Sequence, residues 1–413
     1  MRPKGLEFCK GDRAWPHERQ SNFNMIQESR SMSIDLLIFY YPTLTTIEMQ
    51  TNTKRILAID FARGLSVVLM ILVHTMLVYG DSATRHESAL GQVVNILGQG
   101  APMFLVSMGL SFVFSRKQSF KGSLKRGLLI LLAGYSMNFL KFIVPTLFFG
   151  GLPVPFVEAY GMTYGEPSNM VFFFLLGDIL QLAGLTLILM AFIVRFSKSK
   201  YVPLVLALFI VLVSSELRGY RPGIVGVDYI CDLLWGATYQ VYFPVFPWSA
   251  FILIGLFFGL WFREKGSDQG FLFKSMLVVG IGLLVAGVLL SFYDFDYHFG
   301  DYYHLGPGGS LGLMGLNLIV LWAVNLLTSS VKPNHAFGFL YYCSRNVTSL
   351  YITQWVLINW GMSVFGFWEH QELDVLLLML LFLVLSLGVV YIKSNYGVLF
   401  RLQKSARRVS EST

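Results

Sequence analysis

Residues 55–80 read RILAIDFARGLSVVLMILVHTMLVYG, and this stretch decides the fold because it is long and apolar enough to cross a bilayer as a helix. Three ionisable residues interrupt it, namely Asp60, Arg63 and His74. An ionisable side chain inside a membrane span costs free energy, so each one marks a candidate functional site.

The rest of the chain has the same character as this first span. Its 413 residues are 55% hydrophobic and 13% charged, about half the charged fraction of a soluble domain. Strand alternation is absent. We therefore predict an all-α polytopic membrane protein with about ten transmembrane helices. The predicted spans are residues 56–80, 92–114, 126–149, 170–194, 201–217, 242–262, 272–292, 308–329, 337–363 and 373–393.

The basic residues between the spans predict the orientation. With a cytoplasmic N-terminus, 19 Lys and Arg residues fall on the cytoplasmic side, against only Arg85, Arg218 and Arg221 on the other side. This is a strong positive-inside bias. It predicts that both termini are cytoplasmic. The composition along the chain predicts a poorly ordered extension at 1–53, a transmembrane domain at 54–395 and a basic tail at 396–413.

Charge and cysteine usage narrow the function classes. The net charge of +7 sits mainly in loops between spans, which is the membrane pattern and gives no sign of nucleic-acid binding. Cys9, Cys231 and Cys343 are far apart and have no CxxC or His spacing. No disulfide framework, redox pair or metal site is therefore implied.

Arg63 and His74 share a helix face, because eleven residues at about 100° each return to nearly the same direction, about 16 Å further along. An arginine suits phosphate recognition, and a histidine exchanges protons at neutral pH. Each of these residues also has a purely structural explanation. Asp60 and Arg63 are three residues apart and can form an ion pair, and His74 can be a core histidine that is hydrogen-bonded to a neighbouring span.

Other polar residues are weaker candidates. His86 lies in the first outer loop, where a lone histidine is more often solvated surface. Arg345, Asn346 and Gln354 interrupt the ninth predicted span, and Asp178 near the fourth is a candidate partner for Arg345.

Five segments occur in an order that resembles a known family: IDFARGLSVVLMILVH at 59–74, APMFLVSMGLSF at 101–112, GDILQLAG at 177–184, FPWSAFILIGLFFG at 246–259 and SRNVTSLYITQW at 344–355. The chain resembles the heparan-alpha-glucosaminide N-acetyltransferase catalytic-domain family and its prokaryotic relatives, within the transmembrane acyltransferase superfamily. The likeness covers residues 55 to about 395, and DxxRG is its most specific element.

The resemblance implies a membrane enzyme that takes an acyl group, usually acetyl, from cytoplasmic acyl-CoA and delivers it across the membrane to a glycan hydroxyl or amine. The heparan enzyme nominates His86 as the catalytic histidine, while the Arg and His spacing of acyltransferase-3 relatives nominates His74. Asn346 matches the family's asparagine, and Gln354 stands where the heparan enzyme has a histidine.

These residues give a mechanistic hypothesis. Arg63, with Asp60 and Arg345, would hold acetyl-CoA; His74 or His86 would act as the base or carry the acyl group; Asn346 would stabilise the oxyanion. We expect the protein in the cell (plasma) membrane, in contact with lipid, acyl-CoA and a glycan acceptor, and as a homodimer by resemblance. One rival function is a transporter without covalent chemistry, in which a proton or substrate path would be formed by Asp60, Arg63, His74, Lys141 and Arg345. Another is a noncatalytic partner in envelope synthesis.

Overall fold

A computed structural model describes the backbone of residues 56–114 and 119–410, and the side chains of these residues as far as 396. The predicted N-terminal extension at 1–53 lies outside the described residues. Within them, helices form all the regular structure apart from two isolated bridges, Gly80 with His370 and Gly177 with Val241.

The helices follow one another closely along the chain, and one five-residue π-helix, Phe139–Ile143, interrupts the third span. The α-helices are α1 (Leu57–Tyr79), α2 (Ser82–His86), α3 (Ala89–Gly98), α4 (Ala101–Phe112), α5 (Phe120–Asn138), α6 (Val144–Phe148), α7 (Val154–Ala159), α8 (Ser168–Phe174), α9 (Ile179–Phe196), α10 (Tyr201–Leu217), α11 (Val227–Trp235), α12 (Val245–Glu264), α13 (Gln269–Tyr293), α14 (Phe295–Phe299), α15 (Pro307–Ser330), α16 (His335–Arg345), α17 (Val347–Phe365) and α18 (Glu372–Ser410).

Eight of the described helical segments are long and apolar enough to cross a membrane. The shorter apolar helix α10 and the helix α17 occupy two further predicted spans. The polytopic helical fold predicted from the sequence is confirmed. The central helix α12 is buried along most of its length, with Trp248, Phe251 and Phe258 in the core, whereas α13 and α18 expose most of their apolar side chains, as lipid-facing helices do.

Some predicted spans differ from the observed helices. The fourth starts at Ile179 rather than at 170, because Asp178 and Gln181 form a capping box there and Gly177 pairs with the backbone of Gln240 and Tyr242. The ninth breaks at Asn346, whose backbone (φ −106°, ψ 15°) separates α16 from α17. The last helix, α18, continues beyond residue 393 to Ser410.

Helix directions agree with ten alternating crossings. Helix α17 runs parallel to α1, because Gln354 lies beside His74 and, further along both helices, the Ile358 carbonyl accepts the Tyr79 hydroxyl. Helix α4 runs parallel to α12, and α13 runs antiparallel to α15 through close glycine contacts. If every span reverses the direction of the chain, the first span runs parallel to the ninth, and the second runs parallel to the sixth.

Gly64 of the DxxRG segment lets α1 approach α16. A Cβ atom there would overlap the carbonyl oxygen of Leu340, a backbone atom that cannot turn away. We predict that Gly64→Ala lowers stability by about 1–3 kcal/mol through overpacking, seen as a lower apparent Tm in detergent. Gly338→Ala is the matched control, because a Cβ there meets nothing within 4 Å. Equal melting of the two variants would contradict this account of Gly64.

Candidate active site

His74 lies against one face of α17. Its Nδ1 is 2.9 Å from Nε2 of Gln354, and its ring stacks on Trp355 with centroids 4.0 Å apart and planes at 21°. The Tyr351 ring meets it edge-on at 6.1 Å. Residues 351, 354 and 355 share a helix face because of their spacing. His74 is partly exposed in the isolated chain.

Lys141 adds a cation to this site. It lies in the π-helix, a rare local widening of the helix that is frequent at functional sites. Its side chain is 4% exposed, and its Nζ is 3.9 Å from the centroid of the Trp355 ring that also stacks on His74. A cation–π contact of this kind compensates part of the cost of burying the ammonium group.

Asp178 supplies the opposite charge. Its carboxylate, on a residue only 5% exposed, accepts the Tyr351 hydroxyl proton at 2.9 Å and the Ile179 backbone N–H at 2.7 Å. It also interacts electrostatically with Lys141. We call His74, Lys141, Asp178, Tyr351, Gln354 and Trp355 the His74 cluster.

Tyrosines on the side of the predicted outer loops lie within electrostatic reach of Asp178. The hydroxyls of Tyr160 and Tyr242 are 2.6 Å apart, and the Tyr242 ring packs against Tyr303 with centroids 4.9 Å apart. The indole of Trp248 donates to the Tyr303 carbonyl. Trp248 is therefore a buried packing residue that fixes the loop after α14.

The outer loop that carries Tyr303 is held by charge. Burial opposes ionisation of Asp301, but hydrogen bonds from the His304 ring (2.6 Å) and the Tyr303 N–H (2.8 Å) outweigh it and lower the pKa of this carboxyl. Burial also lowers the pKa of Arg218, against the opposing effect of Asp301, while its guanidinium donates to the Leu305 carbonyl. These contacts hold the loop between α14 and α15 in place.

The predicted donor-binding residues lie at the other end of α1. Arg63 and Asp60 form a loose ion pair at 4.0 Å, with 24% and 22% of their side chains exposed. The Ser344 hydroxyl donates to Asp60 at 3.2 Å. Because α1 is continuous, Arg63 stands about 16 Å from His74 on the same helix face.

The remaining predicted site residues lie apart from His74. Arg345 is exposed at the end of α16, and the side-chain amide of Asn346 donates to the Tyr342 carbonyl at 3.0 Å. His86 is exposed at the last residue of α2, beside Arg85, whose guanidinium lies over the Trp368 ring. The described contacts join His74, rather than His86, to the buried polar cluster.

Sequence reasoning missed Tyr351 and Trp355 as members of the cluster, and it considered Lys141 only as part of the rival transporter path. Tyr351 has no signal of its own in the chain. Lys141 had one, because a lysine within an apolar span is costly and calls for a functional explanation. The Asp178 carboxylate was considered only as a partner for Arg345, whereas its described bonds go to Tyr351 and to its own helix.

Comparison of the chain with known proteins identifies its family. The model of the heparan-alpha-glucosaminide N-acetyltransferase catalytic domain matches residues 55–294, more than half of the chain. No curated protein sequence matches the chain. The matched range includes His74, Lys141 and Asp178 and ends before α17. The chain therefore belongs to the heparan-alpha-glucosaminide N-acetyltransferase catalytic family, a family of acetyltransferases with glycan acceptors of the glucosamine type.

Proposed function

We propose that this membrane transferase takes an acetyl group from acetyl-CoA on the cytoplasmic side and transfers it to an amine or hydroxyl of a glycan on the outer side. The observation that carries the proposal is the His74 cluster, in which a partly exposed histidine contacts a buried amide and lies beside a buried cation. Such an arrangement suits proton transfer together with stabilisation of developing negative charge.

The donor fits the face of α1 between Arg63 and His74. A guanidinium that keeps 24% of its surface exposed offers paired N–H donors to a phosphate. Exposed basic residues of the same predicted side include Lys121, Lys125 and Arg126. The distance of about 16 Å to His74 is of the order of a pantetheine arm. Arg63 would therefore hold the phosphates while the thioester lies beside His74.

Gln354 determines which ring nitrogen of His74 reacts. The amide occupies Nδ1, so Nε2 is left to exchange a proton with the acceptor. The two ends of a glutamine amide exchange by rotation, and the Oε1 end is buried and has no hydrogen-bond partner among the described residues. With Oε1 turned to His74, the amide accepts the Nδ1–H and the lone pair lies on Nε2, the form required of a base.

The chemical step then uses two groups of the cluster. His74 Nε2 takes the proton from the acceptor amine or hydroxyl as that atom bonds to the acetyl carbon, and it returns the proton to the departing sulfur of CoA. The Lys141 ammonium stabilises the negative charge that develops on the acetyl oxygen. Asp178 bonds to Tyr351 of α17 and offsets the charge of Lys141 electrostatically.

The test is acetyl transfer by the purified protein in proteoliposomes. We expect label from radioactive acetyl-CoA to appear on a glucosamine-containing acceptor, with a label that survives mild base if the bond is an amide and is released if it is an ester. We also expect thermal stabilisation by acetyl-CoA and none by free acetate. Ion-coupled uptake of an acceptor into the vesicles without any acetylated product would contradict the proposal and favour a transporter.

A further inference from the structure

A cavity of about 520 Å³ lies near the His74 cluster, between the segment that ends in α8 and the loop before α12. Polar and apolar groups line it in similar proportion, and its lining includes Thr163, Glu166, Ser168, Asn169, Gln240 and Phe172. Its volume falls in the range of roughly 300–1,000 Å³ typical of small-ligand sites. The positive-inside pattern assigns this segment to the outer side.

The polar lining is held in place by its own hydrogen bonds. The Asn169 amide donates to the Thr163 carbonyl at 2.8 Å, and the Ser168 hydroxyl donates to the Glu166 carboxylate at 3.3 Å. The Glu166 side chain itself is exposed to the cavity mouth. A ligand would therefore meet acceptor and donor groups that are already arranged.

The cavity wall is connected directly to the reactive centre. The Gln240 carbonyl accepts the Gly177 N–H at 2.7 Å, and the Gly177 carbonyl accepts the Tyr242 N–H at 2.9 Å. Gly177 immediately precedes Asp178, and the Tyr242 hydroxyl contacts Tyr160. A molecule bound between Glu166 and Gln240 would thus lie beside tyrosines that are within electrostatic reach of Asp178.

A second cavity of about 500 Å³, between α13 and α15, offers a contrast. Its lining is almost wholly apolar, with Leu284, Val288 and Phe292 among the residues that form it. A saccharide placed there would lose hydrogen bonds to water without replacing them, at a cost of about 1–3 kcal/mol for each buried polar group. The polar cavity is the one that suits a sugar.

We infer that the cavity at Glu166 binds the saccharide part of the acceptor, with Glu166 and Asn169 as specificity-determining residues. The inference rests on the proposed function. A carboxylate accepts hydrogen bonds from sugar hydroxyls or pairs with an amino group, a carboxamide donates and accepts, and the Phe172 ring offers an apolar surface to the C–H face of a sugar.

The kinetic test uses Glu166→Gln and Asn169→Ala in the full-length protein, with a glucosamine disaccharide as acceptor. We expect each variant to raise the KM for the disaccharide about tenfold, as loss of a hydrogen bond to a charged or buried group does, with the KM for acetyl-CoA unchanged. Glu158→Gln is the control, because Glu158 is exposed on the preceding helix α7 and does not line the cavity. An unchanged acceptor KM in both test variants, or an equal rise in the control, would overturn the inference.

A binding measurement separates this inference from the proposed function. Without acetyl-CoA, we expect the disaccharide to slow hydrogen–deuterium exchange in residues 161–175 of the wild type, and less so in Glu166→Gln. Protection without any acetyl transfer would support the cavity and refute the proposed chemistry. Acetyl transfer with no protection of 161–175 and no change of KM would refute the cavity alone, and the absence of both would refute the two together.

Discussion

Replacing His74 with glutamine should lower kcat for acetyl transfer by roughly 10²- to 10⁴-fold, the usual contribution of a positioned general base. Glutamine keeps a hydrogen-bonding side chain but cannot take a proton at neutral pH. The KM for acetyl-CoA should change little, because the predicted phosphate-binding group, Arg63, lies about 16 Å away on the same helix. The measurement is steady-state transfer of label from acetyl-CoA to the acceptor.

His86→Gln and His335→Gln complete the experiment. His86 is the catalytic histidine that resemblance to the heparan enzyme nominates, and His335 is an exposed histidine at the first turn of α16. We expect both variants to retain activity within a factor of about ten. A hundredfold loss in His86→Gln, with full activity in a folded His74→Gln protein, would transfer the role of base to His86 and refute the mechanism proposed for the His74 cluster.

The spans could be predicted from the sequence because the bilayer imposes a length and a polarity on each segment separately. The first span is the clearest case, since 56–80 was predicted and α1 covers Leu57–Tyr79. The fourth span was placed too early because hydropathy does not register a helix start. That start depends on Asp178, Gln181 and the pairing of Gly177 with a loop about 60 residues later in the chain.

The residues that form the site were harder to predict from the sequence, for a related reason. Tyr351 and Asp178 are 173 positions apart, and His74 and Gln354 are 280 apart. Only the packing of spans brings these pairs together, and a single sequence contains no record of that packing. The periodicity of α1 puts Arg63 and His74 on one face, but it gives no information on which helix that face contacts.

The family match and the site overlap only in part. The matched range, 55–294, contributes the histidine and the two charges, whereas α17 contributes Tyr351, Gln354 and Trp355 from beyond it. In the mechanism proposed here, the segment outside the match orients His74 and carries the ring beneath Lys141. Differences among relatives in this helix would accordingly change the environment of the base while leaving the matched motifs intact.

Asp178 gives the largest expected effect on stability. Asp178→Ala removes a helix cap, the acceptor of the Tyr351 hydroxyl and the negative charge near Lys141. Asp178→Asn keeps a capping side chain, but it removes the charge and replaces one of the two accepting oxygens with an NH2 group. Removing the acceptor of a buried hydroxyl and the charge that offsets a buried ammonium group costs roughly 1–3 kcal/mol for each buried group left unsatisfied. Both variants should melt at a clearly lower apparent Tm in detergent, with Ala lower than Asn.

The pairing with Lys141 is tested by a double-mutant cycle. Lys141→Met keeps most of the volume and removes the cation, and alone it should also lower the apparent Tm because Asp178 then lacks its compensating charge. The combination Lys141→Met with Asp178→Asn removes both charges, and we expect it to be more stable than either single variant. Losses that simply add would show that the two charges are independent. Lys141 also supplies the positive charge that is proposed to stabilise the oxyanion. The double variant should therefore be stable but have a low kcat for acetyl transfer, which separates the structural role of Lys141 from its catalytic role.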